Sequence, residues 1–281
     1  MNLYKIDGGI GKNIAFTALI QELVEKDGGE ICIETAYPEV YINITGVVRI
    51  YNSNEPKDAR KFYSCFDNVF AHDPYVGNMW KGNVHVIDAW AQMFGLKPKT
   101  RFPSVKVTAS DADKEAINEK LGDKPFIVLQ ISGGQSPYEI RDMSNLPAYE
   151  NNHMRAGRNI VAMDDLYNEL KAKFPDHNIV QFALPNEPQI KDAIQLQMHY
   201  TNWFYVFDKA EFFVGIDSMM QHYMASIQKP GIVFWDMNTP EQFGWEYDGI
   251  AHYNTALPGG VYINKPLATA AIKHLQATTT I

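Results

Sequence analysis

Short, wholly apolar runs alternate along the chain with stretches in which apolar residues recur every three or four positions. That pattern predicts buried parallel strands separated by amphipathic helices. Leu3 to Ile6 reads as a short strand, Asp7 to Lys12 as a glycine-rich turn, and Asn13 to Lys26 as a helix with Ile14, Ala18, Leu19 and Val24 as its apolar positions. A second strand is predicted over Glu30 to Glu34, closing at Tyr37-Pro38, and a third over Ile44 to Tyr51. Asn83 to Leu96 reads as a helix with Val86, Ala89, Trp90, Met93 and Phe94 on one side. Between them Asp58 to Trp80 is rich in aromatics, His and Asp but has no clean period, so it is read as irregular.

The pattern breaks at Gly95-Leu96-Lys97-Pro98 and again at Pro103. Ser110-Asp111-Ala112-Asp113 then opens a helix with a capping-box arrangement, a better reading of the paired aspartates than a metal motif. A second series follows: a strand over Phe126 to Ile131, a polar insertion over Ser136 to Asn159, a helix over Met163 to Phe174 and a strand over Asn178 to Ala183. It continues with a helix over Glu187 to Met198, a strand over Phe212 to Ile216, a helix over Met219 to Ile227, a strand over Gly231 to Trp235 and a terminal helix over Pro266 to Ala277. Two α/β series of similar size imply two Rossmann-like domains with a cleft between them. No internal repeat is visible.

Length and composition agree. At roughly 150 residues per domain, 281 residues make about two domains, and 46% hydrophobic with 21% charged residues excludes disorder and disulfide-stapled scaffolds. The net charge of −8 supplies no overall field for nucleic acid or anionic membrane. Cys32 and Cys65 fit no zinc spacing and read as reduced thiols. No stretch approaches the roughly 20 apolar residues of a membrane span. Met1 to Ile6 is too short and polar for a signal peptide, so the expectation is a cytoplasmic protein without stable membrane insertion.

Three segments could carry chemistry. In Gly8-Gly9-Ile10-Gly11-Lys12-Asn13 the glycines permit a tight turn into a helix N-terminus, which offers amides to an anion or a sugar hydroxyl. It is not a phosphate-binding P-loop, because Ile6 stands six residues before Lys12 and Asn13 follows it. It is not the dinucleotide fingerprint, because Ala15 or Phe16 would have to be glycine. The second segment is Gly215-Ile216-Asp217-Ser218 to His222, where a strand hands over to a helix. Amides, the Ser218 hydroxyl and the imidazole one turn along the same face suit a diphosphate. The third is Ser132-Gly133-Gly134-Gln135 at the carboxyl end of a strand, followed by arginines of which Arg158 is the best placed to reach a ligand.

These residues carry a resemblance. Gly9-Ile10-Gly11-Lys12-Asn13-Ile14-Ala15-Phe16-Thr17, His85-Val86-Ile87-Asp88-Ala89-Trp90 ending at Phe94-Gly95-Leu96, and Phe213 to His222 followed by Lys229 to Phe234 resemble glycosyltransferase family nine, which includes heptosyltransferases. The resemblance implies a GT-B fold, two Rossmann-like domains facing a central cleft, with the acceptor on residues 1–122 and a nucleoside diphosphate sugar on residues 123–264. It further implies that residues 265–281 return as a helix to the first domain, and that transfer inverts the anomeric carbon without a metal or other cofactor. Asp217, Ser218 and His222 fall on the family's diphosphate positions, and Gly133 and Gly134 on its loop near the sugar phosphate. Met219 replaces the glycine usual after the Asp-Ser pair, and Lys12 replaces the loop aspartate that serves as general base.

An inverting transfer needs a group to take the acceptor's proton. Lysine is protonated at neutral pH, so Lys12 could serve only if burial lowered its pKa strongly, and it reads better as an anion-binding group. Asp7, Asp73, His85 and Glu34 are the other candidates, with Asp73 favoured. The expected activity is sugar transfer to a hydroxyl acceptor, either a lipopolysaccharide-type saccharide or a hydroxymethylated base in viral DNA. Lys12, Arg49, Arg60, Lys61, Lys97, Lys99 and Arg101 would form a phosphate track for the second of these. The alternatives are a nucleotide-sugar epimerase or hydrolase, and a non-catalytic sugar-nucleotide binder. Oligomeric state is not readable from these residues.

Overall fold

The computed structural model describes residues 1–55, 58–76, 84–133, 160–161, 163–183, 187–235, 238–255 and 261–278. The chain divides into two compact units, one formed by 1–107 with 241–245 and the other by 108–240 with 246–281.

The first unit contains β1 (Asn2–Ile6), α1 (Ile10–Phe16), α2 (Ile20–Lys26), β2 (Ile31–Thr35), β3 (Val47–Asn52), α3 (Ala59–Tyr63), β4 (Asn68–Phe70) and α4 (Val86–Phe94). Its strands form a parallel sheet in the order β3-β2-β1-β4. Every residue of β2 is buried, Cys32 included, as expected of a parallel strand covered on both faces. The helix expected over 13–26 starts earlier, at Ile10, and is divided at Thr17–Leu19 by a 3-10 turn. Thr17 causes the break: its hydroxyl bonds back to the Ile14 carbonyl at 2.6 Å and accepts the Ser104 amide at 2.8 Å. Gly95 ends α4 in the left-handed region (φ 64), with Leu96 N donating to Ala91 O at 2.7 Å, so the expected glycine stop is a Schellman cap. The segment read as irregular holds α3 and the edge strand β4, which pairs with β1 over Asn2–Tyr4.

The second unit contains α5 (Asp111–Leu121), β5 (Phe126–Leu129), β6 (Ile160–Val161), α6 (Met163–Lys173), β7 (Asn178–Gln181), β8 (Ile194–Gln195), α7 (Tyr200–Lys209), β9 (Phe212–Ile216), α8 (Met219–Ser226) and β10 (Gly231–Trp235). It continues with the short α9 (Pro240–Phe243), β11 (Ile250–Asn254), β12 (Val261–Tyr262) and α10 (Lys265–Thr278). The main sheet is parallel in the order β11-β10-β9-β5-β7-β8, and β12 pairs with β6 separately. Read from β5 this is the doubly wound order 3-2-1-4-5-6. Ser110 caps α5 by accepting the Asp113 amide at 3.2 Å, the role its spacing predicts.

Several expectations are corrected. No helix covers 187–198. Instead the carboxamide of buried Gln181 accepts from Ile190 N and Gln195 Nε2, both at 2.7 Å, and donates to Pro188 O, pinning this stretch as a loop leading into β8. The aromatic helix α7, which buries Trp203, Phe204, Val206 and Phe207, has no counterpart among the elements the pattern predicts. Helix α5, placed in the first domain by the sequence, is tied to the second unit: Asn118 Oδ1 accepts from Tyr205 at 3.0 Å and from Lys209 at 2.9 Å. The terminal helix, expected to return to the first domain, buries Ala268, Ala271, Ile272 and Leu275 beside Leu166 and Leu170 in the core of the second unit.

Gly46 initiates β2 by accepting the Ile31 amide at 2.9 Å, with φ +85 and an ideal Cβ only 2.5 Å from Val24 Cγ1. Gly28 shares the positive φ (+84) but has open space around it. Gly46→Ala should therefore cost about 2–3 kcal/mol in urea unfolding and Gly28→Ala only about 1 kcal/mol. Equal midpoints for the two variants would show that the Val24 approach has no energetic consequence.

Candidate functional site

In an open parallel sheet, loops diverge where the strand order reverses, and the gap at the carboxyl ends of those two strands is the natural ligand position. The first sheet reverses between β1 and β4, the second between β5 and β9.

At the first reversal the loop after β1 brings Lys12 and the loop after β4 brings Asp73. Lys12 Nζ lies 2.9 Å from Asp73 Oδ1, with the lysine side chain 8% and the aspartate 39% exposed. The ammonium also lies 4.8 Å from the centre of the Tyr75 ring and 6.0 Å from that of Trp90. Asp73 Oδ1 accepts the Tyr75 amide at 3.0 Å, and Trp90 donates to the His72 carbonyl at 3.1 Å, so both neighbours of the carboxylate are anchored. Gly8, at φ +97, leaves room for the lysine stem, since a Cβ there would stand 3.0 Å from Lys12 Cδ. Gly9 is the N-cap of α1 and Gly11 lies within it. Buried Asn13 fixes the turn, donating to Gly9 O at 3.1 Å while its Oδ1 accepts from Thr35 at 2.6 Å and Tyr41 at 3.1 Å.

The other base candidates stand differently. Asp7 pairs with Lys5 at 3.7 Å. Glu34 is buried and accepts the Tyr63 hydroxyl at 3.1 Å. His85 caps α4: Nδ1 accepts the Ile87 amide at 3.3 Å, and Nε2 lies 2.9 Å from the Gly244 carbonyl, which can only accept, so Nε2 carries the proton. Burial pushes the His85 pKa down to about 4, and the ring is a neutral structural cap with both nitrogens engaged. It is not brought together with Lys12 and Asp73 by any hydrogen bond of its own. Of the basic residues proposed as a phosphate track, Lys99 pairs with Glu25 at 2.6 Å and Arg101 with Asp88 at 2.5 Å, besides Lys12 with Asp73.

At the second reversal Ser218 is the N-cap of α8, and its hydroxyl makes no side-chain cap bond. Gln130 Nε2, from the end of β5, donates to Ser218 Oγ at 3.0 Å. Gly133 passes so close that a Cβ would stand 2.7 Å from the same oxygen. Both carboxylate oxygens of Asp217 are engaged, Oδ1 by Gln221 at 2.7 Å and Oδ2 by Asn238, and His222 Nε2 lies 4.0 Å from Oδ1. Asp217 is thus held by two amide groups, while Ser218 is half-buried and Met219, Met220 and Gln221, the first turn of α8, are buried. Sequence reasoning missed Gln130, Gln221 and Asn238; the one available signal was a polar Gln130 interrupting the apolar run Phe126 to Ile131. Gly134, Gln135 and Arg158 lie outside the described residues. Among the described residues no cluster of His, Cys, Asp and Glu is placed to hold a metal, and no helix is long and apolar enough to cross a membrane.

No protein-family model and no curated protein sequence matches the chain. Solved structures do match in fold. The ADP-heptose lipopolysaccharide heptosyltransferase II of E. coli superposes with a TM-score of 0.67 at 11% identity, covering 100% of this chain and 99% of that one. A glycosyl transferase family 9 protein from Veillonella parvula gives 0.64 at 11% identity over 90% and 85%. E. coli heptosyltransferase WaaC with ADP-2-deoxy-2-fluoro heptose gives 0.58 at 10% identity over 98% and 99%. The α/β architecture with two parallel sheets is that of these proteins.

The depressed His85 pKa makes stability depend on pH. Between about 4 and the ordinary value of 6.5 the unfolded chain binds the proton that the folded chain refuses. The contribution is complete above 6.5 and is lost as pH falls toward 4, about 3 kcal/mol in all. Urea midpoints followed across that window should fall for the wild type and fall less steeply for His85→Gln, and identical slopes would refute the assignment.

Proposed function

We propose that the chain is a glycosyltransferase that moves a sugar from a nucleoside diphosphate sugar to a saccharide hydroxyl, with inversion and without a metal. The observation that carries this reading is the N-terminus of α8, whose half-buried N-cap Ser218 makes no side-chain cap bond, at the strand-order reversal of the second sheet, in a fold shared with heptosyltransferases. The bond from the anomeric carbon to the diphosphate oxygen breaks as the acceptor oxygen bonds to that carbon. The departing diphosphate gathers negative charge, which the α8 amides, the Ser218 hydroxyl and the His222 imidazole would stabilise. The acceptor's proton goes to Asp73, whose carboxylate Lys12 holds in place. Lys12 then acts by orienting the base, which accounts for a lysine where the family resemblance places an aspartate. A saccharide acceptor is favoured over DNA because Lys12, Lys99 and Arg101 are already engaged by carboxylates. The matched structures with ADP-sugars make ADP-heptose the first donor to test.

Incubation with ADP-, UDP- and GDP-sugars, with and without saccharide acceptors, should yield a glycosylated product and free nucleoside diphosphate. Asp73→Asn should lower transfer at least about 100-fold while leaving donor affinity within about twofold. Undiminished transfer by Asp73→Asn would remove Asp73 as the base, and an epimerised donor accumulating without acceptor would replace transfer by epimerisation.

A further inference from the structure

Ser218 has one hydroxyl proton and two lone pairs to place. Gln130 Nε2 fills a lone pair at 3.0 Å, and the oxygen is not spent on capping α8, so the proton is left to point away from the protein amide. Gln130 is 4% exposed, and its Oε1 has no hydrogen-bond partner among the described residues. Ser132, two residues further along the loop that follows β5, is 1% exposed and its hydroxyl is likewise unpartnered among them. The Ser218 proton and the buried Ser132 hydroxyl are donors with no acceptor among the described residues, which an anionic oxygen can satisfy, whereas Gln130 Oε1 is an acceptor and calls for a donor. Gly133 keeps the geometry tight, since any Cβ there would displace the Ser218 oxygen.

We infer that Gln130 is a positioning residue for diphosphate binding: by donating to Ser218 Oγ it turns the hydroxyl proton toward an anionic oxygen of the ligand. The inference rests on the nucleotide-sugar reading of this site and names the residue that makes it selective for an acceptor-only group such as a phosphate oxygen. Gln130 touches no reacting atom; it acts through Ser218. Without the amide the hydroxyl is free to rotate, and part of its donor strength is lost to other orientations.

The coupling is measurable by calorimetric titration of the full chain with inorganic pyrophosphate, ADP, UDP and GDP. Ser218→Ala should weaken the best of these probes about tenfold, Gln130→Met about fivefold, and the double variant no more than Ser218→Ala alone, because the amide has no function once the hydroxyl is gone. Additive losses, or wild-type affinity in Gln130→Met, would overturn the inference while leaving the diphosphate site standing. A wild-type chain that binds none of the four probes would overturn the site reading itself. Thermal midpoints without ligand establish that each variant folds, and Gln130→Asn, which retracts the amide by one methylene, reads the same coupling if Gln130→Met does not fold.

Discussion

The reversal of strand order, once in each sheet, is the constraint from which the candidate sites follow. A parallel sheet must be covered on both faces, so each strand is followed by a connection crossing one face or the other. Where successive connections change sides, at β1 and β4 and again at β5 and β9, two loops leave the sheet in opposite directions. Whatever fills the gap must come from residues just beyond those strands. In the first unit it is filled by an ion pair, Lys12 with Asp73. In the second it is spanned by a neutral hydrogen bond, Gln130 to Ser218, at the N-terminus of α8.

Single buried carboxamides hold loops at the carboxyl ends of several strands, those at the gaps among them. Asn13 ties the turn after β1 to Thr35 and Tyr41, and Gln181 pins the loop that precedes β8. Gln130 reaches from β5 to α8. An amide both donates and accepts, so one buried side chain can join two backbone segments without an uncompensated charge. Asp217 does comparable work with a charge, and two amide donors offset its burial.

Much of the architecture was legible because parallel strands are written as continuous apolar runs. Phe212–Ile216 and Gly231–Trp235 are read from the sequence with the boundaries they have in the fold. The Asp217-Ser218 junction was legible for the same reason, since the apolar run stops at two residues that favour a helix N-cap. Three-residue β4 was not, because an edge strand with one face exposed has neither an apolar run nor room for a period. Helix α7 was hidden by aromatic residues, which carry strand propensity and here pack a helix by burial alone. Pairings distant in sequence, such as Lys12 with Asp73 and Asp217 with Asn238, have no local signature. They exist only once the strand order is known.

The location of charge gives the acidic composition a different meaning. With a net charge of −8 the chain has no spare cationic field, and the one buried cation at the first reversal, Lys12, is matched by a carboxylate. At the second reversal the described groups beside the α8 N-terminus are amides and a hydroxyl, with an imidazole nearby. Neutral dipoles bind a diphosphate through geometry, and their attraction falls off within a helical turn. Such a site holds the anion while it is well aligned and has little long-range pull once it shifts. That combination would suit a charged group that binds and leaves repeatedly, as the proposed transfer requires of its diphosphate. The two reversals thus differ in kind: one holds a matched ion pair and the other a neutral hydrogen bond beside a helix N-terminus.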